Sequence, residues 1–126
     1  MKSLNSVQLI GEVADISDII ESETTQTVLI KLITSHAWKN NRTGEMLSES
    51  ETHELVFFNN KAVSAHYMIH PGMTIFARGF IKTTEKINGN RGSFFVKQII
   101  VHDFVTFGNK KSHGNDDNYE GGNYGM

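Results

Sequence analysis

His66 and His70 stand four residues apart in a segment that reads as a short helix, a spacing at which two imidazoles can share a metal ion. Pro71 ends that helix at once and no third ligand stands close by, so surface or interface histidines are expected instead. His53-Glu54 opens like a zinc-protease motif, but Phe57 occupies the place of its second histidine. The absence of cysteine excludes disulfides, thiolate metal sites and a cysteine nucleophile together. Neither a glycine-rich phosphate loop ending in Lys-Ser/Thr nor a Gly-x-Ser-x-Gly elbow is present. No enzyme, cofactor or bound metal is therefore expected. What remains is aromatic and cationic. Trp38, the single tryptophan, is followed by Lys39 and Arg42; Phe80 stands between Arg78 and Lys82 on one strand parity; Phe57-Phe58 closes an apolar run. Flat rings interleaved with cations suit a ligand made of exposed planar bases joined by phosphates, each stacked base being worth about 1–3 kcal/mol.

Each of these residues also has a plainer reading. Trp38 can be a partly buried rim residue, Phe80 a cover for an outer surface or a subunit contact, and any one lysine a solvated charge. Alternation puts Phe57 and Phe58 on opposite faces, so one can be core while the other stacks. Net charge is -2, which does not by itself attract phosphate, but its distribution is uneven. Glu12 to Glu23 is acidic with no basic residue, whereas Arg78, Lys82, Lys86, Arg91 and Lys97 are opposed only by Glu85. A ribbon of one sign can attract phosphate even when the total is near neutral. With Lys31, Lys39, Arg42 and Lys61 these five residues make up the candidate phosphate contacts. Their joint signature is a slope of log affinity on log salt of roughly -0.7 per phosphate neutralised on a single strand.

The elements that must position these groups are strands. In 126 residues, 38% hydrophobic and 21% charged, one soluble globular domain is expected. Apolar residues alternate at Val7, Leu9, Gly11 and Val13, then at Val28, Ile30 and Leu32 with Lys31 on the other face, then through His53 to Phe58. Lys39 to Ser50 is polar and contains Asn40, Asn41 and Gly44, which predicts a flexible hairpin loop. Asn59 or Asn60 is expected to cap a short helix that Pro71-Gly72 stops. Met73 to Thr83 gives a fourth strand with Ile75 and Ala77 on one parity, and Phe76, Arg78 and Phe80 on the other. Asn88 to Gly92 is a turn, and Ser93 to Phe107 a last strand long enough to bend around a barrel. Gly11 and Gly79 fall inside strands, as the bends of a small barrel require. The chain is therefore expected to be all-β: a five-stranded Greek-key barrel of the OB-fold type with one short helix between strands 3 and 4. A sandwich without the helix is the competing fold. The domain is expected over residues 1–108. Residues 109–126, rich in Gly, Asn and Asp, form a disordered tail by the same reading. No stretch is long and apolar enough to span a bilayer, and Met1 to Val7 enters the alternation at once, so neither a membrane partner nor a leader is expected.

Five pieces in order resemble the bacterial single-stranded DNA-binding protein family. Asn5-Ser6-Val7-Gln8-Leu9-Ile10-Gly11 is similar to its opening strand, and Leu32 to Trp38 to its second, which runs through a Thr to a Trp. Gly44-Glu45 sits in its loop; Thr52-His53-Glu54-Leu55-Val56-Phe57-Phe58 resembles its third strand; Pro71-Gly72 through Thr83 resembles its fourth. The resemblance implies an OB-fold that wraps single-stranded DNA and self-associates, commonly as a homotetramer. It implies work in DNA replication, recombination or repair and a cytoplasmic, nucleoid-associated address. It also implies stacking by Trp38 and Phe58, and a subunit interface that takes in His53. Apolar strand residues such as Ile75, Phe76, Val101 and Phe104 are available to a partner subunit. The chain departs from the family at Thr52 and Lys86, where stacking tryptophans are common, and across Asp15 to Glu23. It ends Asn123-Tyr124-Gly125-Met126 rather than in the acidic-Pro-Phe tip through which replication and repair proteins are recruited. These departures keep open an OB-fold adaptor that chiefly binds proteins of a primosome or other replication complex; a single-stranded RNA binder stays open as well, since stacking does not by itself distinguish ribose from deoxyribose.

Overall fold

The computed structural model describes residues 1–109. Strands occupy Val7–Ile16 (β1), Ile20–Glu21 (β2), Gln26–Lys39 (β3), Met46–Phe58 (β4), Met73–Ile87 (β5) and Ser93–Asn109 (β6); the helix Asn60–Met68 (α1) lies between β4 and β5. Hydrogen-bonded neighbours run β1-β5-β6-β4-β3, and β3 returns to β1, closing a five-stranded barrel. β2 is a short addition to the edge of β3. Apart from it, the order is three strands, a helix and two strands, the expected OB-fold and not a sandwich. The expected tail, beyond Asn109, lies outside the described residues.

Alternation decides what is inside. Val13, Val28, Ile30, Leu32, Leu55, Phe57, Ile75 and Ala77 are buried, while Glu12, Lys31 and Phe58, their neighbours in sequence, are exposed. Ala62 and Ala65 on one side of α1, and Ile69 just after it, are fully buried and close one end of the barrel. His66 and His70 are exposed, and no group of three or more metal-ligating side chains occurs among the described residues. No described helix is long and apolar enough to cross a membrane.

Closure requires two close approaches. At Gly79, which faces Val7 on one side and Val101 on the other, a Cβ would overlap the Ile100 backbone carbonyl; at Gly11 it would overlap that of Ile33. Each lies near a bulge, at Ala14 in β1 and at His102 in β6, where the paired strands turn around the barrel.

Three expectations are corrected. The flexible loop over Lys39 to Ser50 is mostly strand: β3 and β4 pair without a break from Thr27↔Phe58 to Lys39↔Met46. Only Asn40 to Glu45 turn, held by Asn40 N–H to Glu45 O at 2.8 Å and by Gly44 N–H to Asn40 O at 2.8 Å. Beyond the barrel this ribbon has no core to face, so its residues need not alternate in hydrophobicity and the apolar signal vanishes. Asn59 does precede α1, but its side chain makes no cap. Its Oδ1 instead accepts the Gln26 N–H at 3.2 Å, and its own N–H donates to Gln26 O at 2.7 Å, pinning the helix entry to β3. Ile75 and Val101, offered to a partner subunit, are core residues at 0% and 4% exposure. Phe104 packs edge-on against Phe57, with ring centroids 5.4 Å apart, and so serves the same core.

Candidate nucleic-acid interface

The outer faces of β3, β4, β6 and β5 bring part of the candidate set together. The pairings Val56↔Ile100 and Phe80↔Ile100 set these three residues in one row across the strands, with Val56 buried at 4% exposure and Ile100 and Phe80 half-buried. Phe58, two residues beyond Val56 on the same pleat face, is 41% exposed. Phe80 is half-buried, leaning on His102 with centroids 5.3 Å apart. One step along the strands, Lys31 faces Glu54 and Lys82 faces Gln98, and Gln98 Nε2 donates to Glu54 Oε2 at 3.1 Å. Gln98 Oε1 also accepts the Thr84 hydroxyl at 2.9 Å, so this buried amide is satisfied at both ends and ties the β5–β6 hairpin to β4. Lys86 continues the same face towards the hairpin tip, opposite Phe94. The result is a surface of apolar rings edged by lysines.

Trp38 is not part of that surface. It lies on the pleat face of Leu32, opposite Leu47 near the far end of the β3–β4 ribbon. The cross-strand position of Phe58 is 11 residues away along β3, roughly 36 Å of strand. The indole is 38% exposed and stacks on His36, with centroids 5.5 Å apart and planes 19° from parallel. His36 did not emerge from the sequence; its position two residues before Trp38 on one strand was the available sign. Lys39 and Arg42 flank this second platform, Lys39 on the opposite pleat face and Arg42 in the turn, where its N–H donates to Asn40 Oδ1 at 2.9 Å.

The remaining cations divide. Arg78 is held by Asp103 across the β5–β6 ladder, and the Arg78 hydrogen bond, reinforced by its charge and by those of Lys61 and His102, holds the Asp103 carboxyl below its ordinary range. Arg78 is therefore engaged, unlike Lys31 and Lys82. A carboxyl with a lowered value keeps its partner above the ordinary carboxylate range and releases it only as pH falls through the lowered value. Asp103→Asn should free the guanidinium at neutral pH. The expected result is tighter single-strand binding with a salt slope steeper by about 0.7, measured by oligonucleotide titration across salt. Lys61 is exposed in the first turn of α1, and Arg91 is at the hairpin tip. Lys97 is on the hairpin's other face, its Nζ 3.5 Å from the Thr83 hydroxyl. There it lines a cleft of about 310 Å³, with Glu51, His53 and Ile81, where β4 leaves β6.

His53 is half-buried, its Nε2 2.9 Å from the Thr34 hydroxyl. Phe76 is half-buried on the outside of the barrel, in a row with Ile10 at 60% and Val105 at 52% exposure.

Rings and lysines on the outer strands of a small closed barrel suit the binding of a single nucleic-acid strand. The chain belongs to the single-strand binding protein family, whose model matches residues 4–107. It is 26% identical over 114 residues, 90% of this chain and 84% of the relative, to single-stranded DNA-binding protein 1 of Xylella fastidiosa (strain 9a5c). Its fold is similar to a structure described as the Plasmodium falciparum SSB complex with ssDNA, with a TM-score of 0.76 at 23% identity, covering 86% of this chain and 98% of that one. Family membership, rather than any empty site, removes the enzymatic readings.

Proposed function

We propose that this protein binds single-stranded DNA without reading its sequence, and so protects the strand during replication, recombination or repair in the cytoplasm, at the nucleoid. The observation that carries this reading is the outer face on which the rings of Phe58 and Phe80 stand with Lys31 and Lys82, opposed by Glu54 across from Lys31, in a chain of the single-strand binding protein family. The rings take bases, the lysines take phosphates, and nothing in such a surface distinguishes one base from another. Phe58 and Phe80 are the stacking residues of this track, with Lys31, Lys82 and Lys86 as its phosphate contacts. Trp38, with Lys39 and Arg42, forms a second platform.

Three track lysines imply a slope of log affinity on log salt of about -2 per protomer. The test is titration of deoxy- and ribo-oligomers and of duplex DNA across salt. Preference for the deoxy single strand with that slope supports the reading. Equal or better binding of the ribo-oligomer would make the chain an RNA binder, and no binding of either would make it a protein adaptor.

Self-association belongs to the same proposal, a homotetramer being the expected form. The Ile10, Phe76 and Val105 row exposes apolar side chains on three neighbouring strands, which a second copy can cover. Ile10→Asp, at an exposed position, should leave the melting temperature of the fold nearly unchanged and reduce the assembly's mass in sedimentation velocity.

A further inference from the structure

Beyond Gln98 the β5–β6 hairpin has no third strand among the described residues, and its two faces differ in a way that points to a ligand. One carries Lys82, Thr84 and Lys86 of β5, and Val96 and Phe94 of β6, with Phe94 directly across from Lys86. Among the described residues, no carboxylate stands on that face of the hairpin beyond Gln98; the nearest along it is Glu54, held by Gln98. The other carries Thr83, Glu85 and Ile87 of β5, and Phe95 and Lys97 of β6, with Phe95 directly across from Glu85. Phe94 is 48% exposed and Phe95 69%, so neither ring has been folded into the barrel. The ribbon holds its shape without them. Its tip is a tight turn over Gly89–Arg91 with Asn88 N–H to Gly92 O at 2.8 Å, and its base is fixed by the Gln98 bonds to Thr84 and Glu54.

Two adjacent exposed phenylalanines on opposite faces thus meet different charge environments: Lys82 and Lys86 on the Phe94 face, Glu85 together with Lys97 on the Phe95 face. A phosphate near Phe94 finds Lys86 across the ladder and Lys82 further along the same face. A phosphate near Phe95 meets Glu85 directly across the ladder, with Lys97 two residues along β6. Continuity adds to the case. Phe94, Lys86, Lys82 and Phe80 share the pleat face that also carries Ile100, Val56 and Phe58. A strand leaving Phe58 and crossing Phe80 therefore keeps meeting lysines as it runs out along β5.

We propose that Phe94 is a further stacking platform for single-stranded DNA, with Lys86 as its paired phosphate contact, and that Phe95 is not one. This rests on the single-strand binding reading above. The track then contains three rings, Phe58, Phe80 and Phe94, and leads from the barrel wall to the hairpin tip.

The adjacent residue provides the control. Phe94→Ala, Phe95→Ala and Phe94→Trp in the full chain are titrated with fluorescently labelled oligo-dT by anisotropy, with melting and sedimentation recorded for each. Phe94→Ala is expected to weaken binding about 5- to 150-fold, the value of one stacked base. Phe94→Trp should restore binding, and its new indole should be quenched by the oligomer. Phe95→Ala should bind within about twofold of the parent, since its face loses no base contact. The inference is overturned if Phe94→Ala binds like the parent, if both alanine variants lose affinity equally, or if Phe94→Ala alters only the assembly's mass. Failure of the parent chain itself to bind would overturn the underlying reading instead, so the two failures are distinguishable.

Discussion

Phe57→Ala should cost about 3–5 kcal/mol of folding stability, while Phe58→Ala, one residue along, should leave the fold almost intact and weaken single-strand binding. The two rings are chemically identical and belong to one strand. Phe57 is fully buried among Ile30, Leu55 and the edge of Phe104, so removing it leaves a cavity in a small core. Phe58 is 41% exposed, and the core loses little when its ring goes. Its loss removes a stacking surface instead, about 1–3 kcal/mol of binding, or a 5- to 150-fold rise in Kd. Chemical denaturation and oligo-dT titration of both variants check the division. A loss of stability at Phe58 equal to that at Phe57 would return Phe58 to the core.

Gly79→Ala should be nearly as damaging as Phe57→Ala, through the backbone rather than the core. A Cβ at this position overlaps the carbonyl oxygen of Ile100, and that carbonyl belongs to the strand paired with β5. A flexible side chain could swing aside, but a backbone group in a ladder moves only with its strand. Overpacking of this kind costs about 3 kcal/mol. Because Gly79 adjoins Phe80 and the His102 bulge, the same displacement should disturb the outer row, so lower affinity is expected alongside the lower melting temperature. A melting temperature equal to the parent's would show that the β5–β6 crossing is looser than described.

The fold was legible wherever one face of a strand meets the core. Val28, Ile30 and Leu32 alternate with outward residues because the barrel demands it, and the same parity rule separated Phe57 from Phe58. Legibility ended where that demand ends. Met46 to Thr52 is strand, yet it pairs in a ribbon clear of the core, and polar pairs such as Ser35–Ser50 at 3.1 Å leave no hydrophobic period to read. Asn59 could be placed at the helix entry by residue type, but its pairing with Gln26 depends on a contact 33 residues distant. Site residues were legible as types and not as neighbours. Arg78 and Lys82 are equivalent in sequence, and only the cross-strand partner Asp103 sets Arg78 apart. Likewise Ile75 and Val101 are as apolar as Ile10 and Val105; which pair lies inside depends on parity along β1, β5 and β6, interrupted in β6 at the His102 bulge.

The lone tryptophan gives the most direct test of the central claim. Trp38 emission is followed as oligo-dT is added at low and high salt, with duplex DNA as control and anisotropy of labelled oligo-dT in parallel. Saturable quenching by the single strand, weakened by salt and much smaller with duplex, is the expected result, since Trp38 is exposed and already part of a stacked pair. Binding by anisotropy without quenching would remove Trp38 from the site and leave the Phe58–Phe80 track. No binding by either signal would contradict the account and make the chain a protein adaptor.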